Sequence, residues 1–331
     1  MLRTYKGAVA IVTGGASGIG RALGEALARR GATVVLADLQ IELARTVAAS
    51  INADGGTASA AEADVTDFAA MDRLVRDAVR SHGRLDYMFN NAGIGIGGEV
   101  RHYGIDDWNR VFDVNLRGVA NGVQAAYQLM LEQGFGHIVN TASMAGLMPT
   151  PGTTSYGATK AAVVGLSTAL RIEAARFGVR VSVICPGVIQ TPVLEDCGKY
   201  GKMLIDIPIE LQRQYWQSLR PMQPDVFAPK VLRALAKNKA IIIVPGWWKL
   251  IWWLNRLSPA AGMWFSRKLF EWGQRKLERF PARTEPQPSL KTASRADSPT
   301  HPADQATEAI HIPKGFQPSA SQPATRAPDG R

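Results

Sequence analysis

Residues 8–20 read AVAIVTGGASGIG, and RALGEALARRG carries the chain on to Gly31. Ala8–Val12 is a short apolar run with β-branched members, the pattern of a buried strand. Thr13-Gly14-Gly15-Ala16-Ser17-Gly18-Ile19-Gly20 follows, and then Arg21–Arg30 sets Ala22, Leu23, Ala26 and Leu27 on one helical face, with Gly31 as its stop. Thr33–Ala37 is a second apolar run, closed by Asp38. Strand, glycine turn, helix, strand and acid in this order make a βαβ nucleotide-binding unit. Glycine is needed in the turn because a Cβ would hold the backbone away from a pyrophosphate, and the helix N-terminus adds free N–H groups and partial positive charge. Asp38 can accept hydrogen bonds from an adenosine ribose 2′-hydroxyl and would repel a 2′-phosphate. Neither Ser17 nor Leu39 is basic, so NAD is favoured over NADP. Asp38 also stands where it can cap a helix over Ile41–Ala49.

The same alternation continues. Thr57–Ala63, Leu85–Phe89, Gly136–Ser143, Val179–Cys185 and Ala240–Val244 read as strands. Ala69–Ser81, Trp108–Val123, Tyr156–Phe177 and Pro229–Ala236 read as helices, and Asp64 can cap the first of them. Strands alternating with helices predict an α/β fold, a doubly wound parallel sheet covered on both faces. Small residues at Asn91-Ala92-Gly93 would let the backbone pass close to a cofactor. Asn115 sits inside a predicted helix despite its poor propensity there, which gives its amide a task, either a site role or an interhelical hydrogen bond. Pro186-Gly187 marks a turn after a strand.

Chemistry enters with Tyr156 and Lys160. Four residues apart on a helix, they share a face, so the ammonium can sit beside the phenol. The free groups titrate near ~10 and ~10.4, and a neighbouring cation favours the phenolate. Tyr156 is thereby a candidate general acid–base. Ser143 lies thirteen residues upstream, at the end of a strand that delivers its hydroxyl to a sheet edge.

Taken together, TGGASGIG, NNAG, Asn115, Ser143, YxxxK and Pro186-Gly187-Val188-Ile189-Gln190-Thr191 occur in the order of the short-chain dehydrogenase/reductase family, which this chain resembles over about residues 5–245. The resemblance implies a Rossmann-type fold and reversible hydride transfer between NAD and a secondary alcohol or its ketone. It assigns Tyr156 as acid–base, Lys160 as its pKa-lowering partner and ribose contact, Ser143 to the substrate oxygen and Asn115 to a proton-relay water. It further implies cofactor contacts at Gly14, Ser17, Gly18, Ile19, Gly20, Asp38, Asp64, Val65, Asn91, Ala92, Gly93, Tyr156, Lys160, Pro186, Gly187, Val188 and Thr191. Residues 192–225 would form a lid whose apolar content suits a lipophilic alcohol or ketone; a packed helical pair on the surface would read the same. Pairing into a homodimer or homotetramer through the helices around Asn115 and Tyr156 is also implied. The rival class is a catalytically silent NAD(H)-binding sensor or scaffold, which would need none of the four catalytic side chains.

The C-terminus departs from that pattern. Residues 1–236 carry 23 basic and 21 acidic side chains, whereas 237–280 carry 9 against 2, so most of the net charge of +10 belongs to one segment. Six of the eight tryptophans lie between Trp247 and Trp272, and a helix is predicted over Met263–Phe280. Aromatics interleaved with Lys and Arg make 246–280 an amphipathic extension suited to a membrane surface, a substrate lid or a subunit interface. Nucleic acid is disfavoured, because the basic residues come with aliphatic bulk and no binding fold. Residues 281–331, rich in Pro, Ser, Thr and Ala, read as a disordered tail. Two cysteines, Cys185 in an apolar strand and Cys197, make no disulfide framework and have no metal-ligand spacing. The N-terminus reads as no signal peptide, and no run of about 20 apolar residues occurs, so a cytoplasmic protein is expected, with membrane-surface contact one of the three readings of 246–280.

Overall fold

The computed structural model describes residues 1–195, 200–205 and 207–277. Its first half runs β1 (Val9–Thr13), α1 (Gly18–Ala28), β2 (Thr33–Asp38), α2 (Ile41–Ala53), β3 (Thr57–Glu62) and α3 (Phe68–His82). The second half runs β4 (Tyr87–Asn90), β5 (Gly95–Gly97), α4 (Ile105–Phe112), α5 (Gly118–Gln133), β6 (Gly136–Thr141), α6 (Thr154–Ala175) and β7 (Val179–Pro186). Then follow α7 (Pro192–Glu195), β8 (Gly201–Met203), α8 (Ile209–Ser218), α9 (Pro224–Ala236), β9 (Ile241–Val244), α10 (Trp248–Leu257) and α11 (Pro259–Leu277).

Seven strands form one parallel sheet in the order β3-β2-β1-β4-β6-β7-β9. Successive side chains of a strand point to opposite faces, and β1 is apolar on both. Ala10 and Val12 pack in the core with Leu23 and Leu27 of α1 and Phe227 of α9. Val9 and Ile11 pack in the opposite core with Met71 of α3 and Met130 of α5. This double burial is why the strands read as continuous apolar runs. The order reverses between β1 and β4, and ligands of open parallel sheets bind in the crevice at such a point, outside the carboxyl ends of the strands. Thr13, Asp38, Asn90, Thr141 and Pro186 all end strands on that side.

Three elements differ from expectation. The helix predicted over Trp108–Val123 is α4 and α5 joined by a π-turn, Asp113–Arg117, and Asn115 lies within that turn. A single-turn π-bulge in an α-helix is a recurrent feature of functional sites. Helix α9 begins at Pro224 rather than Pro229, so Pro229 lies inside it; Phe227 N–H donates to Gln223 O at 3.0 Å and starts the helix ahead of that proline. The stretch 192–225, which lacks periodicity, forms α7, β8 and α8, with β8 paired in parallel to β5. Both strands are three residues long and end or begin in glycine, too short for an apolar pattern.

The extension closes on the body. Trp248 and Trp252 of α10 pack against the apolar cluster of Met144, Val163, Val183, Cys185 and Ile243. Asn255 donates to Leu147 O at 3.1 Å, and Gln274 of α11 donates to Glu99 at 3.2 Å. The expected disordered tail over 281–331 lies outside the described residues, as do Cys197 and the last three residues of the predicted 263–280 helix.

Candidate active site

The glycine turn is shaped by backbone crowding. Gly14 and Gly18 have φ of +65° and +52°, the left-handed region that glycine enters freely. A Cβ on Gly20 would overlap the carbonyl of Gly14, and one on Gly14 would stand 3.0 Å from Ala92 Cα. The turn is therefore pressed against the strand end that carries Asn91-Ala92-Gly93. Thr13 fastens the two together: its hydroxyl accepts from Asn91 N at 2.9 Å and Ala92 N at 3.0 Å, and its carbonyl accepts from Asn91 Nδ2 at 3.0 Å. Ser17 precedes α1 in extended conformation without capping it through its side chain. Ile19 and Gly20 open the first turn of α1.

Asp38 does two things at once. One carboxylate oxygen accepts from Ala16 N at 3.0 Å, tying the glycine turn to the end of β2, and the other accepts from Gln40 N at 2.9 Å ahead of α2. A carboxylate has about four lone-pair sites, so both bonds leave acceptor capacity for a ribose hydroxyl. The cap of α3 is Asp67, which accepts from Ala69 N at 2.8 Å; Asp64 instead accepts from the N–H and hydroxyl of Thr66, both at 2.8 Å. Val65 is buried beside Gly118, and its carbonyl accepts from Asn121 at 2.8 Å. Thr191 reaches back over the turn, its Cγ2 being 3.2 Å from where a Cβ of Gly18 would stand. Glycines that admit no side chain, facing the opening of α1, fit a dinucleotide pyrophosphate. Asp38 fits the adenosine ribose.

Next to this cradle lie the candidate catalytic side chains. Lys160 of α6 is buried, and its Nζ donates to Thr141 O, at the end of β6, at 2.9 Å. Burial pulls its pKa down to about 8. The ammonium lies 5.5 Å from the Tyr156 ring centroid. The sequence leads one to expect Lys160 to lower the Tyr156 pKa; burial instead raises it above the ordinary phenol value, and the hydrogen-bonding side chain of Ser143 opposes that rise. Desolvation disfavours the phenolate more strongly than the available partners favour it. Ser143 is extended (φ −170°), and its Oγ accepts from Ala145 N at 3.1 Å, so the short turn after β6 holds it at the strand end.

Asn115 is fully buried, and both ends of its amide clamp the backbone of one residue, Ile94. Its Oδ1 accepts from Ile94 N at 2.8 Å, and its Nδ2 donates to Ile94 O at 2.9 Å and to Thr159 Oγ1 at 3.4 Å. A Cβ on Gly93 would stand 3.2 Å from Asn115 Oδ1 and 3.4 Å from Lys160 Nζ, so these two groups flank the same glycine. Pro186, Gly187 and Val188 continue from β7 on the other side.

Two participants were not foreseen. Cys185 was read as a small buried strand residue, and it is one, yet it also lies close enough to Lys160 for its thiol to feel the ammonium; burial nonetheless pushes that thiol up to about 12. Trp248 packs against Gly187. No local pattern joins residues so distant in sequence.

A family model for short chain dehydrogenases matches residues 8–200. The 2,5-dichloro-2,5-cyclohexadiene-1,4-diol dehydrogenase LinX of Sphingobium indicum is 41% identical over 193 residues, 58% of this chain and 77% of its own. The probable oxidoreductase EphD of Mycobacterium tuberculosis is 36% identical over 254 residues, 76% of this chain but 43% of its own length. Among solved structures, a short chain dehydrogenase/reductase from Burkholderia phymatum in complex with NAD superposes with a TM-score of 0.70 at 30% identity, covering 77% of this chain and 95% of that one. Levodione reductase does so at 0.67 and 31% identity, covering 73% and 97%. This chain belongs to the short-chain dehydrogenase/reductase family.

Proposed function

We propose that the protein is an NAD(H)-dependent oxidoreductase that interconverts a lipophilic secondary alcohol and its ketone, with Tyr156 moving the proton. The observation that carries this reading is the placement of Ser143, Tyr156 and Lys160 beside the glycine turn and Asp38, at the carboxyl ends of one parallel sheet. Gly14, Ser17, Gly18, Ile19 and Gly20 would hold the pyrophosphate, Asp38 the adenosine ribose, Asp64 and Val65 the adenine, and Asn91–Gly93, Lys160, Pro186–Val188 and Thr191 the nicotinamide half. Bound there, NAD supplies hydride acceptance and return. The chain's own residues handle position and the proton.

In oxidation, the Tyr156 phenolate takes the substrate hydroxyl proton; in reduction, the phenol returns it to the carbonyl oxygen. Ser143 hydrogen-bonds that oxygen and orients it, an advantage of fixed geometry rather than added reactivity. Lys160, held by Thr141 O, keeps a positive charge near the phenol and a donor near the ribose. Asn115 fixes Ile94 beside Lys160 and orders the water through which the proton leaves. Support for a lipophilic substrate comes from the ring diol in the name of LinX. A homodimer or homotetramer paired through the helices around Asn115 and Tyr156 belongs to the same reading, and light scattering tests it.

The deciding experiment is Tyr156→Phe. It should abolish nearly all turnover across a panel of secondary alcohols while leaving NADH binding within a factor of about two, since one phenol proton relay is worth about 10²–10⁴-fold in rate. Undiminished turnover refutes the assignment. NADH binding with no turnover of any alcohol or ketone by the unaltered protein would favour the silent sensor.

A further inference from the structure

Helix α10 is apolar on two opposite sides, and the body covers one. Trp248, Ile251, Trp252 and Asn255 recur at i, i+3, i+4 and i+7 and form its more buried side, with the two indoles packed on the core. Leu250, Trp253, Leu254 and Leu257 recur with the same spacing on the other side and are 66%, 53%, 59% and 77% exposed. Helix α11 packs against α10 and adds Trp264 and Phe265, also exposed. One apolar stripe suffices to seat a surface helix. Scattered exposed hydrophobics need no explanation, but a cluster of this size marks a contact surface.

Charge selects the occupant. Lys249, Arg256, Arg267 and Lys268 are exposed among these side chains. The one acidic residue between 246 and 277 is Glu271, and its carboxylate already accepts from Arg267 at 2.6 Å and Lys268 at 3.4 Å. A second copy docked about a two-fold axis would set this patch against itself, cation facing cation. A nucleic acid would neutralise the cations and leave the leucines and indoles in water. An anionic bilayer satisfies both sets: indoles and leucines enter the headgroup boundary while ammonium and guanidinium groups meet lipid phosphates. Among the described residues no helix is long and apolar enough to cross a membrane, so such a contact lies along the surface.

The same hairpin touches the loops around the candidate active site. Trp248 meets Gly187, Asn255 holds Leu147 O, and Phe270 lies 3.6 Å from where a Cβ of Gly152 would stand. Residues 143–155 carry Ser143 and lead into Tyr156, so the hairpin that carries the docked face adjoins the substrate side. We propose that the outer face of α10–α11 docks on an anionic bilayer and that the enzyme draws its alcohol or ketone from that bilayer. The substrate half rests on the oxidoreductase reading above; the docking half does not.

Flotation tests the docking. The full chain is mixed with vesicles of neutral phosphatidylcholine or of phosphatidylcholine with about a third phosphatidylglycerol. Flotation is expected with the anionic vesicles and should fall as salt is raised. Trp253→Ser with Leu254→Ser, and separately Lys249→Gln with Arg256→Gln, leave Trp248, Trp252 and Asn255 in place. Each pair should lower the bound-to-free ratio at least about tenfold, each lost cation accounting for about fivefold, with NADH affinity unchanged. A full chain that stays unbound at both compositions overturns the docking, as does unaltered flotation of the Trp253/Leu254 variant. Self-association without flotation, dissolved by the same substitutions, also overturns it and assigns the face to a second copy. For the substrate half, turnover of a long-chain secondary alcohol supplied in anionic vesicles should fall in the Trp253/Leu254 variant while turnover of a short soluble alcohol holds. Equal rates on both substrates overturn that half. A protein that floats but turns over no alcohol or ketone retains the docking and overturns the substrate half together with the oxidoreductase reading.

Discussion

Trp248 of α10 lies so close to Gly187 that a Cβ at position 187 would overlap the indole nitrogen. Gly187 ends the Pro186-Gly187 turn, and its N–H donates to Val244 O at 2.9 Å, so the turn is held from two sides. The extension thereby leans on the loop that family resemblance assigns to the nicotinamide carboxamide. Gly187→Ala must displace either the turn or the indole, and overpacking of this kind costs about 1–3 kcal/mol. NADH fluorescence titration should show affinity at least about fivefold weaker, with a lower Tm. Wild-type values for both would mean that turn and extension are not coupled.

On the proposed reading, Asp38 links cofactor choice to loop stability. Its two oxygens accept from Ala16 N and Gln40 N. Asparagine has one acceptor oxygen, so Asp38→Asn leaves one of those N–H groups without its partner at a cost of about 1–3 kcal/mol. It also removes the charge that would repel a 2′-phosphate. The ratio of kcat/KM for NAD over NADP should fall at least about tenfold, alongside a lower Tm. A ratio that does not move would detach Asp38 from the ribose.

Tyr156 and Lys160 predict opposite pH responses in the two directions. Burial raises the Tyr156 pKa, which favours the phenol at neutral pH. Ketone reduction needs the phenol, so its kcat/KM should be flat through neutrality and fall only in alkali. Alcohol oxidation needs the phenolate and should climb as pH rises. Lys160 titrates at about 8, so below that pH it is a cation and favours the phenolate. The phenolate forms above the ordinary phenol value, where Lys160 is already neutral, so Lys160→Met should lower the rate of oxidation and leave its rising limb in place. Superimposable profiles for the two directions would contradict Tyr156 as the proton carrier.

Legibility followed sequence distance. The β1–α1–β2 unit and the Tyr156–Lys160 pair each lie within about thirty residues, and their periodicity and glycines state their geometry directly. The strand-end residues could be ordered along the chain, but which ends adjoin required the sheet order. Asn115 was visible as an amide out of place in a helix; its π-turn and its grip on Ile94 were not, because a π-turn leaves no propensity signal. Asp86 read as one residue in a strand-like run. In the structure it is fully buried, accepts from Val9 N at 2.9 Å and Arg3 N at 3.0 Å, and pairs with Arg84 at 2.6 Å. Such a clamp on the N-terminal segment depends on contacts more than seventy residues apart. The net direction of the Tyr156 shift was hidden for a similar reason: spacing gives the neighbouring cation but not the burial that raises the phenol pKa.

His137 gives a stability prediction independent of catalysis. It is fully buried near the start of β6, and its Nε2 lies 2.8 Å from Ser182 Oγ. Ser182 spends its own proton on Lys239 O at 2.7 Å, so its oxygen must accept, and His137 is the Nε2–H tautomer. Nδ1 has no partner among the described residues, and burial together with Arg180 and Arg171 lowers the imidazole pKa from 6.5 to about 3. Between those values the unfolded chain binds a proton that the folded chain does not. Unfolding free energy therefore falls as pH drops below about 6.5, with a limiting slope of about 1.4 kcal/mol per pH unit for this one group. Carboxylates join only nearer their own pKa values, about 4, so the interval from pH 7 to 5 isolates the histidine. His137→Gln should be less stable than wild type at pH 7, because the packing and the bond to Ser182 are altered, yet should lose less stability on going to pH 5. Denaturant titrations at the two pH values measure both differences. Parallel losses in the two proteins would mean that His137 is protonated in the folded state.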